Sequence, residues 1–131
     1  MIWASRILFL VVLGTMLAIT GWAASRCALF SIPREVAMHP WFLATLLDAY
    51  WAFVAFYVWA AWKERRPVAC VLWLVAVLTL WSIAIAAYML RELFSVAPGE
   101  GLAPVFVRRN PGRIALPAFL GAAGLGVLLL A

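Results

Sequence analysis

The charged residues of this chain gather at the ends of four long apolar stretches, and that spacing restricts the fold more than any motif does. The first stretch runs from Ile7 to Ser25, between Arg6 and Arg26. The second runs from Trp41 to Trp62 and is closed by Lys63-Glu64-Arg65-Arg66. The third, Val68 to Leu90, is closed by Arg91-Glu92, and the fourth runs from Ile114 to Ala131. A helix that crosses the hydrocarbon core of a bilayer needs ~20 mostly apolar residues. The first three stretches meet that length. The fourth, counted from Pro117 as a natural first helical residue, covers only ~22 Å at ~1.5 Å per residue and spans only with local thinning. Composition agrees: 69% of the 131 residues are hydrophobic and 11% charged, whereas soluble domains are roughly half apolar and a quarter charged. The fold expected is all-α, an integral membrane helical bundle of three clear transmembrane helices and one marginal one. It forms a single domain over 1–131, with helices near 7–25, 41–62, 68–90 and 114–131 and an irregular loop over 91–113.

The net charge of +5 does not indicate a nucleic-acid partner. The ten basic residues are scattered at segment boundaries, as membrane interfaces require, and no basic helix face or reading module is present. The partners expected are the lipid bilayer and other membrane subunits or further copies of the chain. The first stretch shares features with a secretory signal, with Arg6 ahead of an apolar run and small residues in "GWAAS". Its run is too long for a typical signal core, and it is expected to stay as an uncleaved first helix in a bacterial inner membrane.

If each stretch crosses once, the "KERR" turn and the N-terminus share one side, A, while "RCALFSIPREVAMHP" and the loop from Arg91 to Arg113 share the other, B. Side A then carries Arg6, Lys63, Arg65 and Arg66, and side B carries Arg26, Arg34, Arg91, Arg108, Arg109 and Arg113. Four against six does not settle orientation by the positive-inside rule; the compact "KERR" turn favours side A as cytoplasmic. Trp3, Trp22, Trp41 and Trp62 mark helix ends as an aromatic belt does. Trp51 and Trp81 lie near mid-helix, where they serve packing or wall a flat apolar ligand. Arg108, Arg109 and Arg113, in a loop broken by Gly and Pro, either hold anionic lipid head groups or stop a helix.

Cys27 and Cys70 are placed at opposite membrane sides, ~30 Å apart, too far for a disulfide, whose Cα atoms approach within ~7 Å. His39 is the single histidine. No metal-ligand cluster and no nucleophile–base–acid set can be read from the chain, so no catalytic residue and no cofactor is expected; a bound lipid or apolar pigment is compatible with it.

Asp48 is the one acid inside an apolar stretch. It lies ~10 Å below Trp41 along a helix, where an ionised carboxylate costs a few kcal/mol or more. Ala44, Asp48 and Ala52 share a helix face, with Thr45 and Ala55 beside it, and small side chains around an acid indicate close packing by another helix. Thr15, Thr20, Ser82 and Tyr88 are the candidate partners by depth, with Arg26, Arg34 and Arg91 at the rim. Asp48, Thr45, Tyr50, Trp51, Ser82, Trp81 and Tyr88 are therefore the candidate ligand or helix-clamp residues. Gly14 and Ala18 on the first helix, and Ala118, Ala122 and Gly126 on the fourth, form further rows of small residues.

The segment "PWFLATLLDAYWAFVAFYVWAAWKE", with the later "AIAAYML", resembles the family called domain of unknown function 1475, small bacterial membrane proteins with plant relatives. The resemblance covers roughly residues 3–94. Pro40, Trp41, Thr45, Asp48, Ala49, Tyr50, Phe56, Tyr57 and Trp59 match its motif. The family's third helix is associated with an Asn where this chain offers Ser82 in "WSIA", and the fourth stretch lies beyond the family core. The resemblance implies a fold and no reaction. The function expected is that of a small accessory or assembly subunit of a membrane complex, acting by helix packing with lipid or pigment contact. The alternatives are a small proton-coupled carrier using Asp48 and a lipid-metabolism membrane enzyme with Asp48, Tyr50 and Tyr88 near its pocket.

Overall fold

The computed structural model describes residues 1–110 and 112–130, so Ala131, the end of the fourth stretch, lies outside the described residues. The chain is helical, and no strand occurs among the described residues. The helices are α1 (Ile2–Arg26), α2 (Arg34–Ala37), α3 (Pro40–Lys63), α4 (Pro67–Leu80), α5 (Ser82–Phe94), α6 (Ala103–Val107) and α7 (Ala115–Leu130). Pro40 and Pro67 open α3 and α4, since a first-turn proline sacrifices no helical hydrogen bond and its φ is already helical. α1 and α3, with 25 and 24 residues, are long and apolar enough to cross a membrane. α4 and α7 are apolar but shorter.

The third apolar stretch is not one helix. α4 ends at Leu80 and α5 starts at Ser82, and Trp81 between them has φ 51° and ψ −127°. That is the backbone of the first central residue of a type II′ turn, which glycine adopts without strain. In a side-chain-bearing residue it costs ~1–3 kcal/mol. The chain turns back here, and α4 and α5 pack together as a helical hairpin. Its tip is held to α3 by the Trp81 indole N–H, which donates to the Tyr50 hydroxyl at 3.0 Å. Ala76 and Ala84, both fully buried, lie in the core where the hairpin arms meet, and their small size permits close approach. Trp73, Val77 and Tyr88 complete that core with Ala60 of α3 and Leu120 of α7.

The reversal changes which residues share an end. Arg91 and Glu92 return to the side of Lys63 and Glu64, where single crossings would have placed them a bilayer apart. Arg6, at the start of α1, donates to the Leu93 carbonyl at 2.8 Å and to that of Val96 at 2.9 Å. α1 therefore runs antiparallel to α5, its principal neighbour. The 91–113 region also returns there: the Asn110 amide donates to the Lys63 carbonyl at 2.8 Å, and it contains α6 as well as irregular turns. Arg66 lies against Gly112, whose φ of +92° and lack of a Cβ both matter, because a Cβ would sit 2.4 Å from Arg66 Cγ. Arg6, Lys63, Arg65, Arg66, Arg91, Arg108, Arg109 and Arg113 thus gather at end A, and only Arg26 and Arg34 lie at end B. The count expected from single crossings was four against six; the hairpin makes it eight against two.

α7 begins at end A and runs parallel to α4, its main neighbour. Its helix starts at Ala115, so Pro117 sits inside the first turn. The contact uses Gly121, over the Leu72 carbonyl, and Gly124, where a Cβ would lie 2.7 Å from Thr79 Cβ. The other small-residue rows read from the sequence are not used within the chain: Ala122 is exposed, and among the described residues nothing beyond the adjoining helix backbone comes within 4 Å of a Cβ position at Gly126 or Gly14.

Candidate functional site

Two constellations stand out, one at each level of the fold. At end A, the last turn of α3 supplies Lys63 and its C-cap Glu64, and the last turns of α5 supply Tyr88, Arg91 and Glu92. Lys63 Nζ donates to Glu92 Oε2 and to the Val105 carbonyl of α6. Arg91 Nη2 donates to Glu64 Oε1 and, at 2.9 Å, to Glu92 Oε1. The Asn110 side-chain amide bridges the two acids, at 2.7 Å from Glu64 Oε1 and 2.8 Å from Glu92 Oε1. The Tyr88 hydroxyl donates to Glu64 Oε1 at 3.1 Å. Lys63 is fully buried, and Glu64 and Glu92 are each 3% exposed. Glu64 Oε2 is buried with no hydrogen-bond donor beside it among the described residues.

The net charge of this network is zero, two carboxylates against two cations, which is the condition for burying them together. Burial works against the charged guanidinium of Arg91, but its hydrogen bonds and charge pairing with Glu64 and Glu92 outweigh that, so its pKa lies above the ordinary arginine value. The guanidinium also lies 4.7 Å over the Tyr88 ring and 5.1 Å over that of Trp73, a cation–π geometry. Every charged member is already engaged by another, so the network closes the helix ends together rather than presenting a reactive group. Sequence reasoning singled out Tyr88 and Arg91 from this group, both as candidate partners of Asp48 and not of Glu64 and Glu92. The signal available was the pair of basic–acidic dipeptides, Lys63-Glu64 and Arg91-Glu92, each closing an apolar stretch and matching the other in charge.

The second constellation surrounds Asp48. The hairpin arms have 14 and 13 residues against 24 in α3, so α3 from Tyr50 back to Pro40 extends ~15 Å past the tip. Asp48 lies just beyond it. Ala44, Thr45, Asp48, Ala52 and Ala55 are all exposed, and Asp48 has no ion-pair partner among the described residues. The expectation that this row packs on another helix of the same chain is not met, because the hairpin that would have covered it stops short.

The remaining candidates are dispersed. Thr45 donates back to the Trp41 carbonyl at 2.8 Å, and Ser82 opens α5. Trp51 is 64% exposed, while Trp81 is half-buried against Tyr50, so the two do not wall a common ligand site. Arg108 pairs with Glu100 at 3.1 Å. Arg109 donates to the Trp62 carbonyl at 3.1 Å and lies over that ring, and Arg113 is exposed. Cys27 and Cys70 are both free thiols. Among the described residues no group of His, Cys, Asp and Glu is arranged to hold a metal ion.

No curated protein and no solved structure matches the chain. A family match covers residues 1–110, from α1 through the loop that carries Asn110. It therefore includes both the buried ion network and the Asp48 row, and leaves out α7. On that match the chain belongs to the family described as Protein of unknown function (DUF1475).

Proposed function

We propose that this protein is a small multi-pass membrane subunit that assembles with another membrane protein through the half of α1 and α3 lying beyond the hairpin tip. The observation that carries the reading is the uncovered acid: Asp48 is exposed within a helix long and apolar enough to cross a membrane. A carboxylate in hydrocarbon costs at least ~2.5 kcal/mol, so membrane residence calls for a group from outside the chain to meet it. The residues around it suit that contact. Ala44, Ala52 and Ala55 let a helix backbone approach, and every residue from Leu43 to Asp48 and from Gly21 to Arg26 is exposed.

The partner this face fits is a transmembrane helix carrying a cation or hydrogen-bond donor at the depth of Asp48. A symmetric pair of α3 faces would set one Asp48 against the other, and like charges at close range are unfavourable. The transport reading has less support, since the buried acids Glu64 and Glu92 lie at the far end in ion pairs. Extraction from native membranes in mild detergent, followed by native mass measurement, tests the proposal. The wild-type chain is expected in a complex with a second protein, which Asp48→Leu dissociates without loss of helicity. A wild-type chain that emerges as a lone monomer, or only as a homodimer, refutes it.

A further inference from the structure

A second feature lies on the side A half of the molecule, away from Asp48. A cavity of about 310 Å³ opens between α1 and α3, its lining including Ser5 and Phe9 of α1, Phe56 and Trp59 of α3, Ile85 of α5 and Phe106 of α6. α5 forms its floor and α6 closes its side A end. α1 packs chiefly on α5 and α3 chiefly on α4, so the two long helices, both apolar enough to cross a membrane, form its opposite rims.

From this geometry we infer that the cavity holds one acyl chain of a bilayer phospholipid, selected by the chain and not by the head group. The inference rests on the membrane residence proposed above. Three observations choose this occupant. First, the volume is at the small end for ligand pockets and cannot admit a helix, which is ~10 Å across. Second, the single polar side chain of the lining, Ser5, spends its hydroxyl on the Met1 carbonyl at 3.2 Å, and the Trp59 N–H is likewise engaged by the Phe106 carbonyl at 3.1 Å. Neither side-chain donor is left free to orient a head group or a polar ring. Third, Phe56 and Trp59 meet edge-on at 62°, and Trp59 and Phe106 are tilted by 49°. Neither of these two ring pairs presents the parallel faces that sandwich a flat pigment. A flexible hydrocarbon chain fits walls of this kind, and it reaches them directly from the surrounding lipid.

The test uses the full chain, purified in detergent, delipidated and titrated with two lysophospholipids that share a chain and differ in head group, one zwitterionic and one anionic. Native mass spectrometry reads occupancy. The wild type is expected to retain one molecule of either at matched affinity. Ile85→Phe and Ser5→Phe each fill part of the cavity, one from the floor and one from the α1 rim. Displacing about two methylenes of contact weakens retention roughly tenfold, whereas Val71→Phe on the exposed face of α4 leaves it unchanged. Two variants on different helices keep the test open if one fails to fold. No retention by the wild type, equal retention by both cavity variants, or retention of only one head-group class overturns the inference. A chain that is soluble without detergent overturns instead the membrane residence beneath it, so the two failures are distinguishable.

Discussion

Among single residues, Lys63 and Asp48 show how position decides what a charge does. Lys63 is buried beside Glu92 with its ammonium 5.2 Å from the Trp59 ring centroid, and that acid is the one opposite charge among the described residues that offsets its desolvation. Removing one partner of a buried pair leaves a buried charge uncompensated, here two carboxylates against Arg91 alone, and costs ~3–5 kcal/mol, whereas replacing both by apolar groups of similar volume is nearly neutral. Lys63→Met is therefore expected to lower stability by about that range. The double variant Lys63→Met, Glu92→Leu is expected to recover most of the loss, and denaturant titration in detergent measures the coupling. Purely additive losses would mean that the two side chains do not meet, and with that the return of α5 to end A would fall. Asp48 is the converse case: its exposure within an apolar helix leaves a need that the chain itself does not meet.

Among the elements, Trp81 sets the architecture. The apolar run from Val68 to Leu90 contains no Gly or Pro, so nothing in its local chemistry announces a turn, and a single helix is the natural reading of its length. The turn is imposed by tertiary contacts: the Tyr50 hydroxyl at the tip, the aromatic packing of Trp73 and Tyr88 at 4.7 Å and the ion network at the base. The other boundaries were legible because prolines and charge clusters mark them. α3, expected over 41–62, runs Pro40–Lys63, opened by Pro40 and closed beside Glu64, and the all-helical class followed from hydropathy. The Asp48 row was legible as a face, but its cover was not, since that depends on where the neighbouring hairpin ends.

A direct test of the turn follows from its backbone. In a helix interior Gly is ~1 kcal/mol less favourable than Ala. At φ 51°, ψ −127° the order reverses, because only Gly enters that region without strain. Trp81→Gly is expected to be more stable than Trp81→Ala by ~1 kcal/mol or more, with both below wild type through loss of the Tyr50 contact. Thermal melts of the two variants side by side decide it. Ala above Gly would restore a continuous third helix.

For the whole molecule, the hairpin makes an otherwise balanced charge distribution one-sided. Eight of the ten basic residues lie at end A and two at end B, since Arg91, Arg108, Arg109 and Arg113 return with the chain. In the membrane proposed here, basic residues in short segments near helix ends are retained in the cytoplasm, so end A is expected to face inward. The two free cysteines report on this. Cys27 is exposed at end B beyond α1, and Cys70 is half-buried near end A, its thiol directed at the Ala61 carbonyl 3.7 Å away. A membrane-impermeant maleimide applied to intact cells is expected to label wild type and Cys70→Ala equally, and to leave Cys27→Ala unlabelled until the membrane is opened. Labelling that depends on Cys70 from outside would invert the orientation. Equal access to both thiols before and after lysis would remove the bilayer from between the two ends, and with it the reason that Asp48 needs a partner.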